Sequence, residues 1–507
     1  MKNKQILVGS ILHYTLLVLQ TLSAFALTPF IISRLGDGTF GIYRITVSIV
    51  AYMGVLNFGF GNATLRFLTE IRANNDIKRE KEFLTVVKMF NLAAVGLAIL
   101  AGFVLYLFIP RVFIGSLSAK EIIIARNMFT ILVFSVVINI FNDIYIAVIM
   151  THERFIFLRS LDLVRCILRV FLLFLILSFH PAATSLVMID LVMSIVAISS
   201  NITYSRIKLN IRLKYSTSVL RALDKGYYKP VIIYATLFLL NLIMDQLIWN
   251  TNPIIIGMRL SSFDAAIYGV ATTISTTFYQ CSYVIGNLMF PTIVRLVSSG
   301  ANQQEFTDVT IHMGRIQAFI AMLIITAFFV CGRQFISLWL GSSYQAAWVS
   351  SMLIMAGTLF NSLITTGYLI LRAMNKQLFF LCTYTAVFII NAFVTYTIIT
   401  TYGIVSAAAS TFISYGIITL CLIMPYLYKT IGLDIKLYLK NIILPIGIPM
   451  ALAAPFYYIY KKISFDSWLK LVTGIIGYIL FYCILLFVLV LKKEEKKLIY
   501  NTFCKRA

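Results

Sequence analysis

Apolar residues run through this chain in long continuous stretches, separated by short polar segments. About fourteen such stretches are present, most of them longer than 20 residues. As an α-helix, about 20 residues span the ~30 Å hydrocarbon core of a bilayer. A membrane barrel would instead show short strands of alternating polarity. The pattern therefore predicts an all-α polytopic membrane protein with about fourteen transmembrane helices.

The composition and the charge placement agree with this prediction. Of the 507 residues, 60% are hydrophobic and only 12% are charged, which leaves too little polar surface for a soluble fold. The first run, from Ile6 through Ile32, is longer than a signal-peptide core, so we interpret it as a retained helix. The predicted helices have the approximate spans 6–33, 40–64, 84–110, 122–150, 156–179, 182–204, 229–257, 264–291, 311–337, 346–370, 377–400, 403–425, 437–460 and 468–491.

Positive charge lies in the short loops, and it is unevenly divided between the two sides. With fourteen helices, 32 of the 42 Lys and Arg residues fall in the terminal tails and even-numbered gaps, including nearby helix ends. The positive-inside rule then places both termini in the cytoplasm, with the basic gap 205–228 as a cytoplasmic linker or interfacial segment. The net charge of +23 is explained by this topology and does not indicate nucleic-acid binding.

A short motif occurs twice. "RLGDGTFGIYRI" (34–45) aligns without a gap to "RLSSFDAAIYGV" (259–270), and at the same offset of 225 Gly61–Asn62 aligns with Gly286–Asn287. The offset corresponds to six helices, so both copies run in the same direction. We therefore expect two parallel six-helix lobes related by a pseudo-twofold axis along the membrane normal. The predicted domains are 1–228, 229–430 and a C-terminal helix pair with a basic cytoplasmic tail, 431–507.

The first copy and its flanks resemble a known family. The residues concerned are Leu35–Gly36, Phe40–Tyr43, Gly59, Gly61, Arg66–Phe67 and Glu70. They resemble the polysaccharide transport family, which contains O-antigen and capsule repeat-unit flippases of the multidrug/oligosaccharidyl-lipid/polysaccharide exporter superfamily. The 6+6+2 helix plan is similar as well.

The resemblance implies a bacterial inner-membrane flippase. It would move undecaprenyl-diphosphate-linked oligosaccharides from the cytoplasmic to the periplasmic leaflet by alternating access, for surface polysaccharide biosynthesis. Its partners would be this substrate, membrane lipids and the polymerase or chain-length machinery. A cation-coupled drug exporter, a lipid II flippase and a non-transporting scaffold remain alternatives. The sequence shows no Walker A motif or hydrolase constellation, which favours a transporter over an enzyme, and its cysteines lack metal-ligand spacing.

Charged residues inside helices are costly and therefore indicate cavities or ion pairs. Arginine can hold a diphosphate through its planar fork. Asp162, Arg165 and Arg169 fall at i, i+3 and i+7 and therefore share one helix face. The structural alternative is ion pairing of Arg165 with Asp162, and of Arg169 with Asp143 or Asp190. For Arg44 and Arg126 the alternative is snorkelling to the interface. The candidate diphosphate ligands are Arg44, Arg126, Arg165 and Arg169.

Uncharged polar side chains recur at helical spacing on several predicted helices. Such stripes can bind sugar hydroxyl groups, or they can hydrogen-bond between helices. The candidate sugar-facing residues are Asn241, Asn252, Thr276, Tyr279, Tyr283, Asn361 and Tyr368. No cofactor is expected beyond H⁺ or Na⁺ coupling, for which the candidate carboxylates are Asp143, Asp162, Asp190 and Asp245.

Overall fold

A computed structural model gives the fold of residues 2–57, 60–74, 76–211, 225–374, 376–463, 467–493 and 495–496. These ranges hold seventeen α-helices and no strand. The predicted all-α class is therefore confirmed. Residues 212–224 of the predicted linker and the tail beyond 496 lie outside the described ranges.

The chain divides into two compact units, Met1–Gly269 and Val270–Ala507. The predicted domain limits at 228 and 430 stay predictions. The first unit contains α1 (Lys2–Leu35), α2 (Asp37–Met53), α3 (Phe60–Ala73), α4 (Ile77–Val112), α5 (Ala119–Thr151), α6 (Phe155–Phe179), α7 (Ala183–Ile207), α8 (Lys225–Arg259) and the start of α9 (Ser262–Ser298). The second contains the rest of α9, α10 (Gln303–Leu340), α11 (Ala346–Leu363), α12 (Thr365–Ala373), α13 (Gln377–Tyr402), α14 (Ile404–Ile418), α15 (Met424–Ile431), α16 (Ile435–Lys462) and α17 (Trp468–Leu485).

Every predicted transmembrane segment coincides with helical structure. Three are interrupted: a 3₁₀ turn at Gly54–Asn57 follows α2, a break at Ile364 separates α11 from α12, and a π-helical turn at Thr419–Ile423 separates α14 from α15. A second π turn, Leu486–Val490, ends the chain's last span. Within the described ranges, eleven helical spans are long and apolar enough by length and composition alone to cross a bilayer, so this is a multi-pass membrane protein.

Local sequence signals set several helix ends. Ser118 and Glu121 form a capping box at the start of α5, and Asn302 and Glu305 form another at the start of α10. Each box satisfies backbone N–H groups that the first helical turn leaves without carbonyl partners. The left-handed Gly432 (φ 66°) ends α15.

In the first unit α5 is the central helix, packed against α7, α4, α2 and α3, while α1 packs against α6. Met128, Val148 and Val187 are fully buried between these helices. On the outer surface Phe103, Phe134 and similar apolar side chains are exposed, as expected for a lipid-facing surface. In the second unit α10 has the central place, against α16, α11 and α17.

Candidate functional site

The charged face predicted on α6 lies against α7 in the first unit. Arg169 Nε is 2.5 Å from Asp190 Oδ1, and its Nη2 is 3.3 Å from Asp190 Oδ2. Leu158 and Leu173 continue the same face of α6 and are buried, so the charged residues lie on the inner side of this helix. The two oxygens of one carboxylate thus occupy two donors of one guanidinium fork. Of the two carboxylates considered as partners of Arg169, the structure selects Asp190.

Arg165 lies one helical turn before Arg169 on the same face. Its Nε donates to the backbone oxygen of Met193 at 3.1 Å, while its Nη1 lies 3.7 Å from Asp162 Oδ1, beyond hydrogen-bond distance. Asp162 makes a closer contact with Arg159, whose Nη1 donates to Oδ2 at 3.3 Å. The structure therefore brings Arg165 and Arg169 together and keeps Asp162 with Arg159. The predicted structural alternative, ion pairing, is present for both arginines.

His13 on α1 completes this group of side chains. It interacts electrostatically with Arg159 and Asp162, and its buried Nδ1 makes no hydrogen bond among the described residues. We call His13, Tyr43, Arg159, Asp162, Arg165, Arg169 and Asp190 the α6–α7 cluster. Its three arginines outnumber its two aspartates, so it favours an anion.

Tyr43 on α2 is a member that the sequence interpretation did not single out. Its hydroxyl lies within electrostatic range of both Arg169 and Asp190. The signal was present, because Tyr43 belongs to the repeated Ile-Tyr pair. Sequence alone does not show that the repeated tyrosine faces α6.

A buried amide pair was missed in the same way: Asn201 Nδ2 on α7 donates to Asn142 Oδ1 on α5 at 2.8 Å.

Arg44 has a different position from Arg165 and Arg169. Its Nη2 donates to the backbone oxygen of Gly269 at 2.9 Å, and an added Cβ at Gly269 would lie 2.6 Å from Arg44 Nε. At Gly41 an added Cβ would overlap the carbonyl oxygen of Ser262 and lie 3.1 Å from the backbone nitrogen of Ala266. Positions 41 and 266, like 44 and 269, are equivalent in the repeat. The two motif copies therefore pack directly on each other, and Arg44 fastens that packing.

Arg126 on α5 is also separate from the cluster. Its guanidinium carbon lies 3.9 Å from the centroid of the Tyr106 ring on α4, and its Nε is buried without a hydrogen-bond partner among the described residues. This is a close cation–π contact. Asp143 on α5 is half-buried, and Asp245 on α8 is exposed. The ion-coupling role given to the four carboxylates stays a prediction.

The predicted sugar-facing residues mostly contact neighbouring protein groups. Asn252 Nδ2 donates to Tyr268 Oη at 3.0 Å, and in the second unit Asn361 Nδ2 donates to Tyr279 Oη at 3.4 Å. Thr276 Oγ1 donates to the backbone oxygen of Thr272 on its own helix. The two asparagine contacts match the helix–helix alternative, whereas the Thr276 contact lies within one helix, and the sugar-binding role stays a prediction.

Two further members of this set are half-buried, and one lies outside the description. Tyr368 packs against Phe380, with 4.6 Å between ring centroids, and Asn241 lies on α8 one turn before Asp245. The side chain of Tyr283 lies outside the part of the chain that the structure describes.

Comparisons with solved structures identify the fold. The lipid II flippase MurJ in an inward closed conformation superposes with a TM-score of 0.70 at 15% identity, covering 98% of this chain and 100% of that one. An inward-facing multidrug resistance MATE family transporter of the MOP superfamily gives 0.66 at 12% identity, covering 83% and 98%. A MOP superfamily transporter from Pyrococcus furiosus gives 0.55 at 12% identity, covering 85% and 96%.

A search of curated proteins finds no match. The solved structures described above are a flippase and two transporters, so the chain has a fold that transporters adopt, as predicted. The model of one family, described as polysaccharide biosynthesis protein, matches residues 31–350, which is more than half of the chain and includes both motif copies. The resemblance seen in the sequence is thus confirmed, and the chain belongs to the polysaccharide biosynthesis protein family.

Proposed function

We propose that this protein is a flippase for oligosaccharides linked to undecaprenyl diphosphate. It moves them from the cytoplasmic to the periplasmic leaflet of a bacterial inner membrane, with both termini in the cytoplasm. The single observation that carries the proposal is that Arg165 and Arg169 lie side by side on one face of α6, partly exposed and opposite α7. Two adjacent guanidinium groups suit the two phosphates of such a lipid carrier.

The charge of the cluster separates this proposal from a drug exporter. A site for small organic cations needs carboxylates that exceed the cations around them. In the α6–α7 cluster, three arginines face two carboxylates, so an organic cation would be repelled. The family match, which connects the chain with polysaccharide biosynthesis, supports the same choice.

Flipping of lipid II is the second candidate. The MurJ fold covers 98% of this chain, whereas the MATE structures cover 83–86%, so likeness to that flippase extends over nearly the whole chain. Lipid II carries the same diphosphate, so the cluster serves either substrate. The glycan attached to the lipid distinguishes the two.

A deletion strain, scored for lipid-linked oligosaccharide in each leaflet, tests the proposed function. We expect inner-leaflet accumulation together with loss of surface polysaccharide. Accumulation of lipid II with intact surface polysaccharide would select the second candidate. Reduced dye efflux with normal glycans would contradict both.

Variants of the cluster test the site itself. Arg165→Ala combined with Arg169→Ala should abolish complementation at normal membrane levels, because both phosphate contacts are removed. Arg111→Ala, an exposed arginine at the end of α4, is the matched control and should complement fully. Full complementation by the double variant would reject the diphosphate role.

Coupling to H⁺ or Na⁺ is a further proposal, tested by transport in imposed ion gradients. Contact with the polymerase machinery is another, tested by cross-linking.

A further inference from the structure

The Arg169–Asp190 contact suggests how a site of this kind releases a tightly bound anion. Resting on the proposed function, we propose that Asp190 is an internal counter-anion: the diphosphate displaces it from Arg169, and its return expels the diphosphate. Asp190 is then a positioning residue that acts through Arg169 and sets the affinity of the site.

The geometry of the pair is the first support. Asp190 presents two oxygens to Arg169, at 2.5 Å from Nε and 3.3 Å from Nη2. A phosphate presents two oxygens to a guanidinium fork in the same way. The carboxylate therefore fills the position that one phosphate group needs, and the two cannot occupy it together.

Access to the pair is the second support. The side chains of Arg169 and Asp190 remain 37% and 24% exposed, and those of Arg165 and Asp162 remain 26% and 34% exposed. An incoming anion can thus reach the fork without unfolding either helix. A pair held for stability alone would gain by being closed off from competing ligands.

Charge balance is the third support. Asp162 keeps Arg159 as its hydrogen-bonded partner, and Arg165 Nη1 lies 3.7 Å from Asp162 Oδ1, beyond hydrogen-bond distance. If Asp190 withdraws, Arg165 and Arg169 present two positive charges. A diphosphate diester carries about two negative charges and so matches these two arginines, whereas the displaced Asp190 keeps its own charge and needs a partner of its own.

Tyr43 gives the displaced carboxylate a partner. Its hydroxyl lies close to both the Arg169 guanidinium and the Asp190 carboxylate. When Arg169 turns to a phosphate, the hydroxyl becomes free to donate to Asp190. This matters because a partly buried carboxylate without a donor is strongly disfavoured.

The exchange solves a problem that every anion transporter faces. Arginine–phosphate attraction strengthens as water is excluded, so a site that binds well releases slowly. Because Asp190 occupies the guanidinium for part of the time, the apparent affinity is the intrinsic affinity multiplied by the fraction of time for which the guanidinium is free. The same carboxylate then regenerates the empty site after release.

Binding of farnesyl diphosphate to the full-length protein in nanodiscs tests the inference. Asp190→Asn keeps the size of the side chain but removes the competing charge, so we expect about tenfold tighter binding. Transport of the lipid-linked substrate by the same variant should be slower despite the tighter binding. The matched control is Glu80→Gln, which removes the carboxylate from another fork-paired arginine, Arg72, and should leave diphosphate binding unchanged.

Tyr43→Phe supplies an independent reading if Asp190→Asn fails to fold. It leaves the ion pair intact but removes the donor for the displaced carboxylate, so binding should weaken by about threefold to tenfold. Unchanged binding in Tyr43→Phe, or unchanged or weaker binding in a folded Asp190→Asn, overturns the inference.

Failure of the proposed function would look different. In that case the unmodified protein and Arg169→Ala would bind farnesyl diphosphate equally, or neither would bind it. If instead the unmodified protein binds and Arg169→Ala does not, the diphosphate site stands, and Asp190→Asn decides whether exchange occurs.

Discussion

Each unit contains an arginine that hydrogen-bonds one carboxylate through two of its nitrogens, and we call such a pair a fork. The two forks have similar hydrogen bonds but differ in how far they are exposed. In the second unit Arg315 on α10 binds Glu495 through Nε at 2.7 Å and Nη2 at 2.8 Å. Its side chain is only 3% exposed, against 37% for Arg169 in the first unit. Arg315 Nη1 and Nη2 also donate to the backbone oxygens of Asn441 and Val490, both at 3.0 Å.

The difference teaches what each fork can do. All three guanidinium nitrogens of Arg315 donate hydrogen bonds to acceptors on α16, on the π turn after α17 and on the segment beyond it. This arginine therefore holds the last two spans against α10. Among the described residues, Arg169 hydrogen-bonds Asp190, lies close to Tyr43 and stays partly exposed to an incoming anion. Burial identifies the Arg315–Glu495 pair as structural, while partial exposure makes the Arg169–Asp190 pair exchangeable.

Removing the closed fork should have the largest effect. Arg315→Ala leaves the Glu495 carboxylate and two backbone oxygens without their donor, and we expect a loss of about 3–5 kcal/mol in unfolding free energy. Titration with sodium dodecyl sulfate in mixed micelles measures this. The matched control is Arg333→Ala on the same helix, an exposed arginine 4.4 Å from the Trp348 ring centroid, with a loss of about 1 kcal/mol or less. Equal losses in the two variants would contradict the structural role.

Acid should weaken the same fork. Burial raises the pKa of the Glu495 carboxyl, but hydrogen bonds from Arg315 and the backbone of Lys492 outweigh it and hold the pKa below its usual range. The folded protein therefore binds this proton less readily than the unfolded chain does. The stabilisation is complete above the unfolded pKa of about 4.3 and is lost as the pH falls through the folded value. Unfolding measured from pH 7 to pH 3 should show a steeper decline than in Glu495→Gln, and parallel curves would refute this.

A third fork, between Arg72 and Glu80, has intermediate exposure and should give an intermediate loss. The two side chains are 16% and 22% exposed, and Arg72 Nη1 also donates to Thr151 Oγ1 at 2.6 Å. Hydrogen bonds to charged groups contribute about 1.5–3 kcal/mol, and we expect a loss of that size for Arg72→Ala. Arg79→Ala, whose arginine is 62% exposed beside Asp76, should lose under about 1 kcal/mol in the same titration. A reversed order would show that burial does not rank these pairs.

The open fork should contribute least to stability and most to function. Because its side chain is partly exposed, Arg169→Ala should lose about 1 kcal/mol or less in unfolding free energy. The same variant should lose farnesyl diphosphate binding, whereas Arg315→Ala should retain binding wherever it still folds. If Arg169→Ala unfolds as easily as Arg315→Ala, the distinction between the two forks fails.

The sequence predicted the helices well because membrane spans are specified by long, local apolar runs. Each predicted segment is present, and even α6 was found despite its four charges, since its apolar residues continue on the opposite face. The breaks at Gly54–Asn57 and Thr419–Ile423 were not predicted, because they depend on packing rather than on local composition.

The candidate site was predicted less completely, because ion pairs join residues far apart in the chain. Spacing placed Asp162, Arg165 and Arg169 on one face, but the choice of Asp190 over Asp143 for Arg169 required the packing of α7 on α6. Arg315 was counted among the loop charges at a helix end, since nothing in its neighbourhood in the sequence points to Glu495, 180 residues later. Tyr43 was hidden for the same reason, as Arg169 lies three predicted spans further along the chain.

The smallest expected effect concerns His152, beside the Arg72–Glu80 fork. Burial lowers the pKa of this imidazole, and the charge of Arg72 lowers it further, while a hydrogen bond to the Val148 oxygen opposes both. Below the unfolded pKa of about 6.5 the unfolded chain thus binds the proton more readily, and stability declines as the pH falls from 7 toward 5. Arg72→Ala removes the second cause but leaves burial, so it should reduce this decline without abolishing it. A decline in Arg72→Ala as steep as in the unmodified protein would show that the arginine has no influence on His152.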